Sequence, residues 1–226
     1  MAGARIRAGK ALKGPLTGLF GGSFNPAHGG HRRVSLFALD ALQLDEVWWL
    51  VSPGNVLKPV EGMAPLKARL RSAQAVARRA PICATAIERA LGTRFTIDTL
   101  RAITRRYPKR RFVWLMGADN LAQFHRWKDW RQIAREMPIA VIARPGYDAI
   151  AMTSPAMAWL RRWRQRPGQH VSGARRSAPA LILLRFDPDT RSASAIRAAN
   201  PNWAGGSHKG GLRDAVTHRL ISREKS

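Results

Sequence analysis

Short apolar runs alternate along this chain with longer stretches whose apolar residues recur at helical spacing. The apolar runs of strand length lie at 15–20, 47–51, 82–87, 111–116, 139–144 and 180–185. The stretches with helical spacing lie near 31–42, 65–79, 96–106 and 154–165, and short helical pieces extend to about 135. This pattern predicts strands and helices that follow one another along the chain. Elements in that order build a parallel sheet with helices on both faces.

The predicted fold is therefore α/β, a Rossmann-like doubly wound parallel sheet. The 226 residues, 45% of them hydrophobic, are enough to bury a full core, and no internal repeat divides them. We expect a single domain over 15–226, preceded by a basic, disordered tail over 1–14. The polar run 166–179, which contains Gly and Pro, predicts a loop. In such sheets ligands bind at the carboxyl ends of the strands, near the point where the strand order reverses.

The composition of the chain excludes an intramolecular disulfide and argues against a membrane protein. Cys83 is the single cysteine, which indicates a reducing compartment, so we expect a cytoplasmic protein. No stretch approaches the roughly 18 apolar residues that a membrane span needs, and no membrane partner is expected.

The net charge requires that anionic partners be considered. The formal charge is +25, from 39 Lys and Arg against 14 Asp and Glu. The basic pairs are dispersed along the chain, mostly at the ends of predicted helices, where cations complement the helix dipole. This dispersion favours a solvated surface over a groove for nucleic acid.

The stretch GLFGGSFNPAHGGH, residues 18–31, follows the first predicted strand and begins the first predicted helix. Gly21 and Gly22 let the backbone come close to a ligand, and the amides of the first helical turn point outward. His28 and His31 are three residues apart, so they lie on one face of that turn and contact one group together. These features predict a site for an anion.

Two other interpretations of the histidine pair are weaker. A metal site would need a third ligand, and no Asp, Glu, Cys or His follows in that helix before Asp40. Histidines that only cap the helix or pack in the core would not need the glycine-rich sequence around them.

The residues GGSFNPAHGGH resemble the GxFxPxHxGH signature of the nucleotidyltransferases that share an HxGH motif with class I aminoacyl-tRNA synthetases. Further segments resemble one branch, the bacterial nicotinate-nucleotide adenylyltransferases. These are SPGNVLKP (52–59), FTIDTLR (95–101), GADNLAQFHRW (117–127), ARPGY (143–147) and RSASAIR (191–197). The resemblance runs in order from about residue 16 to the last predicted helix.

The sequence departs from the family pattern at two places. Asn25 stands where many members of the family have Asp. In the last motif Arg191, Ala193 and Ser194 replace the Ile, Ser and Thr of ISSTxIR, while the hydroxyls of Ser192 and Ser194 remain. The motif therefore keeps its hydrogen-bonding groups and loses its apolar anchor.

The resemblance implies an enzyme that transfers the adenylyl group of ATP to nicotinate mononucleotide, giving deamido-NAD and pyrophosphate in NAD biosynthesis. The attacking phosphate oxygen is already ionised, so the enzyme needs no general base and supplies alignment and charge stabilisation. Mg²⁺ is expected to be carried by the triphosphate and water, as hard oxygen ligands prefer, with no metal site on the protein.

The resemblance also implies which residues do this work. The implied catalytic residues are His28, His31 and Arg197. The implied ATP-binding residues are Gly21, Gly22, Ser23, Phe24, Gly117, Asp119, Ser192 and Ser194. The implied residues for nicotinate mononucleotide are Asn55, Lys58, Thr96, Trp127 and Arg144.

Several of these residues have ordinary structural alternatives. Asp119 is placed to accept from a ribose, but Asp before a helix is also a common N-cap. Trp127 is placed to stack on a pyridine ring, while a tryptophan is more often simply buried. The alternative for Arg144 is a plain surface arginine at a strand end. Trp48 and Trp49 sit inside a predicted strand and are expected in the core.

Two alternative functions stay open at this point. One is another HxGH adenylyl- or cytidylyltransferase, such as a phosphopantetheine adenylyltransferase, against which the segments 117–127 and 143–147 argue. The other is a nucleic-acid-binding protein on a nucleotide-binding fold, which only the charge suggests. The sequence leaves the oligomeric state open, including a homo-oligomer.

Overall fold

The computed structural model describes residues 14–54, 62–143, 148–167, 178–186, 192–205 and 211–221. The expected tail lies almost wholly outside these ranges, as does most of the expected loop 166–179. None of the helices in the described part of the chain combines the length and the apolar character that crossing a bilayer requires.

The described residues form a seven-stranded sheet, a short hairpin and a set of helices. The strands are β1 (Leu16–Gly22), β2 (Glu46–Val51), β3 (Ile82–Thr85), β4 (Arg111–Gly117), β5 (Ile139–Ile142), β6 (Arg164–Gln165), β7 (Leu181–Leu184), β8 (Leu212–Arg213) and β9 (Leu220–Ile221). The helices are α1 (Gly29–Ala41), α2 (Leu66–Ala77), α3 (Ile87–Leu91), α4 (Thr96–Arg106), α5 (Ala118–Gln123), α6 (Trp130–Glu136), α7 (Asp148–Thr153), α8 (Pro155–Leu160) and α9 (Ala193–Ala199). Single 3-10 turns span Phe124–Arg126 and Arg161–Trp163.

The sheet has the strand order β3-β2-β1-β4-β5-β7-β6, and all of its pairings are parallel. The chain moves outward from β1 to β3 and then returns to β4 on the other side of β1. The point where the strand order reverses is therefore the gap between the carboxyl ends of β1 and β4. The predicted doubly wound α/β fold is confirmed.

Helices cover both faces of the sheet because successive strand residues point to opposite sides. Trp49 faces α1 and α2 together with Leu70, whereas Trp48 faces α4 together with Leu100. Both tryptophans are buried, as expected for core residues. The two apolar layers hold β1 and β4 rigidly, so the loops that follow these strands begin from fixed positions.

The differences from the predicted elements concern short segments. The strand predicted over 82–87 ends at Thr85, because the buried Asp214 accepts from the Thr85 hydroxyl at 2.9 Å and from the Ala86 amide at 2.6 Å. The five-residue helix α3 follows at once and was not predicted.

The helix predicted over 154–165 is shorter in the structure. Ser154 caps α8 by accepting from the Met157 amide at 3.2 Å, with Pro155 as the first helical residue. The helix then tightens into a 3-10 turn and ends in β6. The helix α7 and the hairpin of β8 and β9 were also missed.

Candidate active site

The two histidines of the first motif hold the start of α1 through a reciprocal pair of hydrogen bonds. His28 is the N-cap, and its Nδ1 accepts from the Gly30 amide at 3.1 Å. The amide of His28 in turn donates to Nδ1 of His31 at 3.2 Å. This is the arrangement of a capping box, built here from two imidazoles. The ring centroids lie 3.9 Å apart, so the two side chains form one unit.

These bonds decide which ring nitrogen of each histidine carries the hydrogen. A nitrogen that accepts from an amide carries no hydrogen, so the neutral ring of each histidine keeps its hydrogen on Nε2. His28 is largely buried and His31 is half-buried. The backbone therefore fixes two adjacent Nε2–H donors at the start of α1, where the helix dipole also favours an anion.

The loop between β1 and α1 is shaped by Phe24, which has a φ of 47°. A bulky residue in the left-handed region costs on the order of 1–3 kcal/mol and persists only where its surroundings hold it. The Phe24 ring stacks on Trp49 at 5.0 Å and packs against His31 at 4.9 Å between centroids. The strained residue thus forms one wall of the histidine pair.

Asn25 ties this loop to the segment before α2. Its amide nitrogen donates to the carbonyl of Gly62 at 2.9 Å, and its side-chain oxygen accepts from the Ala64 amide at 3.1 Å. An amide can make both bonds, whereas an ionised carboxylate offers no donor to Gly62. These two hydrogen bonds therefore explain why Asn suits position 25, where many members of the family have Asp.

The paired glycines lie where side chains would meet aromatic rings. A Cβ on Gly21 would lie 2.7 Å from the Trp114 ring, and one on Gly22 would lie 3.1 Å from the Phe24 ring. Internal packing alone therefore restricts both positions. Their expected approach to a ligand stays a prediction.

Arg197, from the last motif, reaches the first motif across the site. It projects from α9, donates to the carbonyl of Asn25 at 2.6 Å and contacts the Ser194 hydroxyl at 3.2 Å. Ser192 is the N-cap of α9 and accepts from the Ala195 amide at 3.1 Å. Two segments that are more than 160 residues apart in sequence thus meet at the β1–α1 loop.

Gly117 and Asp119 lie at the other side of the strand-order reversal, where β4 continues directly into α5. Gly117 is the N-cap of α5, and Asp119 is the second residue of the helix. The interpretation of Asp119 as an N-cap is therefore wrong. Asp119 lies in the first turn of α5, at the carboxyl end of β4, and its contact with a ribose stays a prediction.

The pyridine nucleotide is expected to bind at backbone amides near Thr96 and just after Trp127, with its ring on the Trp127 indole. Thr96 is the first residue of α4, whose N-cap Phe95 makes no side-chain capping bond. Trp127 is half-buried, with its ring edge-on to Phe124 at 5.4 Å and to Trp114 at 6.3 Å. The indole Nε1 of Trp127 is buried and has no hydrogen-bond partner among the described residues. Asn55, Lys58 and Arg144 lie outside the described residues.

Glu88 is an acid in contact with α4 whose raised pKa the sequence did not reveal. It lies on α3, between the end of β3 and the start of α4. Burial raises the pKa of its carboxyl to about 7, although hydrogen bonds from Ser52 and Thr99 act in the opposite direction. In the sequence Glu88 is a single acid after an apolar strand, and an acid in that position is usually solvated.

The described residues contain no group of three or more His, Cys, Asp or Glu side chains placed to hold a metal ion. The carboxylates of the site are separate, with Asp119 on α5 and Glu88 on α3. The donor set around the histidines is thus one of nitrogen donors suited to anions.

Comparisons with known proteins agree with this geometry. Residues 19–199 match the family described as cytidylyltransferase-like. A probable nicotinate-nucleotide adenylyltransferase of Erythrobacter litoralis is 67% identical over 209 residues, which cover 92% of this chain and 95% of that protein. A protein of Parvibaculum lavamentivorans with the same description is 50% identical over 184 residues, or 81% of this chain and 92% of its own.

Two solved structures share the fold at low sequence identity. Both are Plasmodium falciparum nicotinic acid mononucleotide adenylyltransferase, one complexed with APC and one with NaAD. Their TM-scores are 0.59 and 0.60 at 15% identity, and each comparison covers 81% of this chain and 83% of that one.

Proposed function

This chain belongs to the nicotinate-nucleotide adenylyltransferase family, and on that premise we propose how its residues transfer the adenylyl group of ATP to nicotinate mononucleotide. The main support is the reciprocal capping of His28 and His31, which places the ring hydrogen of each neutral imidazole on Nε2 at the reversal of strand order. Arg197 is bonded to the same loop. Together they form a site for the phosphates of ATP.

The reaction forms one bond and breaks one bond at the α-phosphorus. A phosphate oxygen of nicotinate mononucleotide attacks, the bond from the α-phosphorus to the bridging oxygen breaks, and pyrophosphate leaves with that electron pair. The nucleophile is already an anion, so no proton has to be removed. The protein must hold the two phosphates in line and stabilise the charge that develops on the oxygens.

His28 and His31 donate from Nε2 to the α-phosphate. Because their Nδ1 atoms are fixed by the backbone, the donors need no reorganisation when the charge develops. Arg197 binds the β- and γ-phosphates. The Ser192 and Ser194 hydroxyls accept bonds inside α9 and keep a hydrogen to donate to the same phosphates.

The remaining ATP contacts follow from the ends of β1 and β4. Gly21, Gly22 and the Ser23–Phe24 segment form the backbone that the triphosphate and nucleoside approach. Gly117 and Asp119 lie at the neighbouring strand end, where the Asp119 carboxylate accepts from the adenosine ribose.

Nicotinate mononucleotide binds on the α4 side of the site. The first-turn amides of α4, beginning with Thr96, receive no side-chain cap, which suits them to bind the nicotinate carboxylate. Trp127 stacks on the pyridine ring. By family resemblance Asn55, Lys58 and Arg144 bind the phosphate of the mononucleotide.

Mg²⁺ enters with the triphosphate in this proposal. The oxygens of the triphosphate and of water are the hard ligands that Mg²⁺ prefers. When bound, the ion neutralises charge on the β- and γ-phosphates. The chain's own residues orient the phosphates around it.

A substrate screen tests the proposal. The purified protein is supplied with ATP and Mg²⁺, and pyrophosphate release is measured with nicotinate mononucleotide, nicotinamide mononucleotide and 4′-phosphopantetheine. We expect the highest kcat/KM with nicotinate mononucleotide and no turnover once a chelator removes the metal. A higher kcat/KM with phosphopantetheine would assign the chain to another transferase of the superfamily.

A further inference from the structure

Arg69 is a buried arginine whose guanidinium reaches three backbone segments at once. It lies on α2 and is only 1% exposed. Its Nε donates to the carbonyl of Ala64 at 2.7 Å, and one terminal nitrogen donates to the carbonyls of Ser23 at 2.8 Å and Ser52 at 2.6 Å. The other terminal nitrogen donates to the carbonyl of Pro53 at 3.2 Å.

These carbonyls belong to the loops that follow two neighbouring strands. Ser23 comes directly after β1 and leads into the histidine motif, while Ser52 and Pro53 come directly after β2. Arg69 therefore fixes the separation of two loops at the carboxyl edge of the sheet. A planar guanidinium with five donors can bond several carbonyls in a fixed geometry, which the single ammonium of a lysine cannot reproduce.

The bond to Ser23 acts on the strained peptide of the site. The carbonyl that Arg69 holds belongs to the peptide between Ser23 and Phe24, and Phe24 is the residue with a φ of 47°. The Phe24 ring packs on His31. Rotation of this peptide would move the ring that supports His31, so a chain of direct contacts links Arg69 to a proposed phosphate donor.

The bonds to Ser52 and Pro53 hold the loop that follows β2. The Ser52 hydroxyl also bonds the Glu88 carboxyl, which in turn contacts Thr99 of α4 at 3.5 Å. The loop after β2 is thereby connected to the helix that we assign to the pyridine nucleotide. Arg69 lies between the segment proposed to hold ATP and the segment connected to the second substrate.

We propose that Arg69 is a positioning residue for adenylyl transfer, which holds the β1 and β2 loops so that the attacking phosphate and the α-phosphate of ATP meet in line. The proposal rests on the proposed function. Arg69 makes no contact with the reacting atoms in this account. Its loss is expected to lower kcat much more than it raises either KM, because a displacement of about 1 Å costs on the order of a hundredfold in rate.

The test compares Arg69→Lys and Arg69→Gln with a matched control, Arg110→Lys. Arg110 also bridges β1 and β2, through the Thr17 hydroxyl and the Glu46 carboxylate, but at the amino edge of the sheet. The folded fraction of each variant is measured by circular dichroism, and kcat and both KM values are expressed per folded molecule. A variant that is unfolded under assay conditions is compared with the unchanged protein in the cold with a stabilising osmolyte.

We expect Arg69→Lys to lower kcat by about tenfold to a hundredfold, with each KM within about threefold of its original value. The kcat of Arg69→Gln should fall further, whereas Arg110→Lys should keep the kcat of the unchanged protein. A kcat within about twofold of the unchanged protein in both Arg69 variants would overturn the proposal. Two Arg69 variants that fail to fold under every condition would also overturn it, because Arg69 would then serve stability alone. No turnover of nicotinate mononucleotide by the unchanged protein would instead reject the proposed function.

Discussion

The two ends of the candidate site differ in how their polar groups are satisfied. At the phosphate end, between β1 and α9, the histidine Nδ1 atoms, the Asn25 amide and the Arg197 guanidinium all have hydrogen-bond partners within the protein. At the pyridine end, the start of α4 has no side-chain cap, and the buried Nε1 of Trp127 has no partner among the described residues.

This difference separates catalysis from specificity. The fold itself positions His28 and His31, the proposed donors to the α-phosphate, so they are in place before ATP binds. The pyridine end leaves donors that a substrate must satisfy, and a substrate that cannot do so leaves polar groups buried without a partner. Substitutions of His28 or His31 should therefore change kcat, whereas the amides at the start of α4 should decide which substrate is accepted.

The largest effect is expected from His31→Ala, which removes a donor to the α-phosphate. We expect kcat to fall by about a hundredfold or more, the range found when one preorganised donor is lost. The fold should lose only about 0.5–2 kcal/mol, because the histidine also accepts one capping bond. Steady-state kinetics and urea unfolding of the same preparation measure both quantities. Full activity, or a variant that does not fold, would contradict the assignment.

The next effect is the choice between nicotinate and nicotinamide mononucleotides. Amide donors of the protein bind both oxygens of a carboxylate. A carboxamide instead turns its own NH₂ group toward at least one of those donors. The mismatch costs about 1–3 kcal/mol, so we expect nicotinate to be preferred by roughly tenfold to several hundredfold in kcat/KM. Equal kcat/KM values would show that the pyridine end does not recognise its substrate through amide donors.

Trp127→Ala is the matched control for that measurement. In the proposed site the indole stacks on the ring of either nucleotide, so its loss should weaken both substrates alike and leave the preference unchanged. A variant that loses the preference would place the discrimination on Trp127 and not on the start of α4.

A smaller effect is expected from Arg197→Ala, because the β- and γ-phosphates keep the Ser192 and Ser194 hydroxyls. The KM for ATP should rise by roughly tenfold, the effect of about 1.4 kcal/mol from one charge-assisted bond, while the KM for nicotinate mononucleotide changes little. Steady-state kinetics with each substrate varied in turn measure the two KM values separately. An equal rise in both KM values would contradict a role confined to the phosphates of ATP.

The last effect is on stability and not on activity, and it concerns the titration of Glu88. The pKa of the folded protein is about 7, above the ordinary 4.5, so the folded state binds the proton more tightly than the unfolded state. The free energy of unfolding should therefore fall as pH rises from about 4.5 to about 7 and change little above that window. The total is on the order of 3 kcal/mol, and Glu88→Gln should remove this part of the slope. An unchanged slope in urea unfolding at several pH values would contradict the burial argument.

The sequence predicted the elements that carry strong periodic patterns. The helix α4 begins and ends where the 96–106 pattern placed it, and the histidine motif lies where a strand end and a helix start were expected. The short elements α3, α7 and the hairpin were missed because five or six residues carry too little periodicity to indicate a helix. Their ends depend on single contacts from distant residues, such as Asp214 at the end of β3.

The roles of Arg69 and Glu88 could not be predicted from sequence either, because they too depend on contacts with distant segments. Arg69 occupies a position on the buried face of α2, between Leu66 and Leu70 of the core, and three of its four carbonyl partners, Ser23, Ser52 and Pro53, come from distant segments. Glu88 acquires its raised pKa only from the elements that bury it.

The sequence also did not reveal where part of the positive charge lies. The tryptophans of α6, α8 and the following 3-10 turn pack in a row, with Trp130 and Trp159 5.2 Å apart and Trp159 and Trp163 4.3 Å apart. Guanidinium groups of Arg131 and Arg162 lie over their rings. Because these residues are about thirty positions apart in sequence, only the fold brings them together.

The central claim is that Nδ1 of His31 maintains the fold while Nε2 acts on the phosphate, and the pair His31→Gln and His31→Asn tests it directly. The Gln amide nitrogen lies near the position of Nε2, and the Asn oxygen lies near that of Nδ1, so each variant keeps one of the two functions. We predict that His31→Gln retains at least tenfold more kcat than His31→Asn, and that His31→Asn retains the higher free energy of unfolding. Equal kcat values in two folded variants, or the opposite order, would contradict the account.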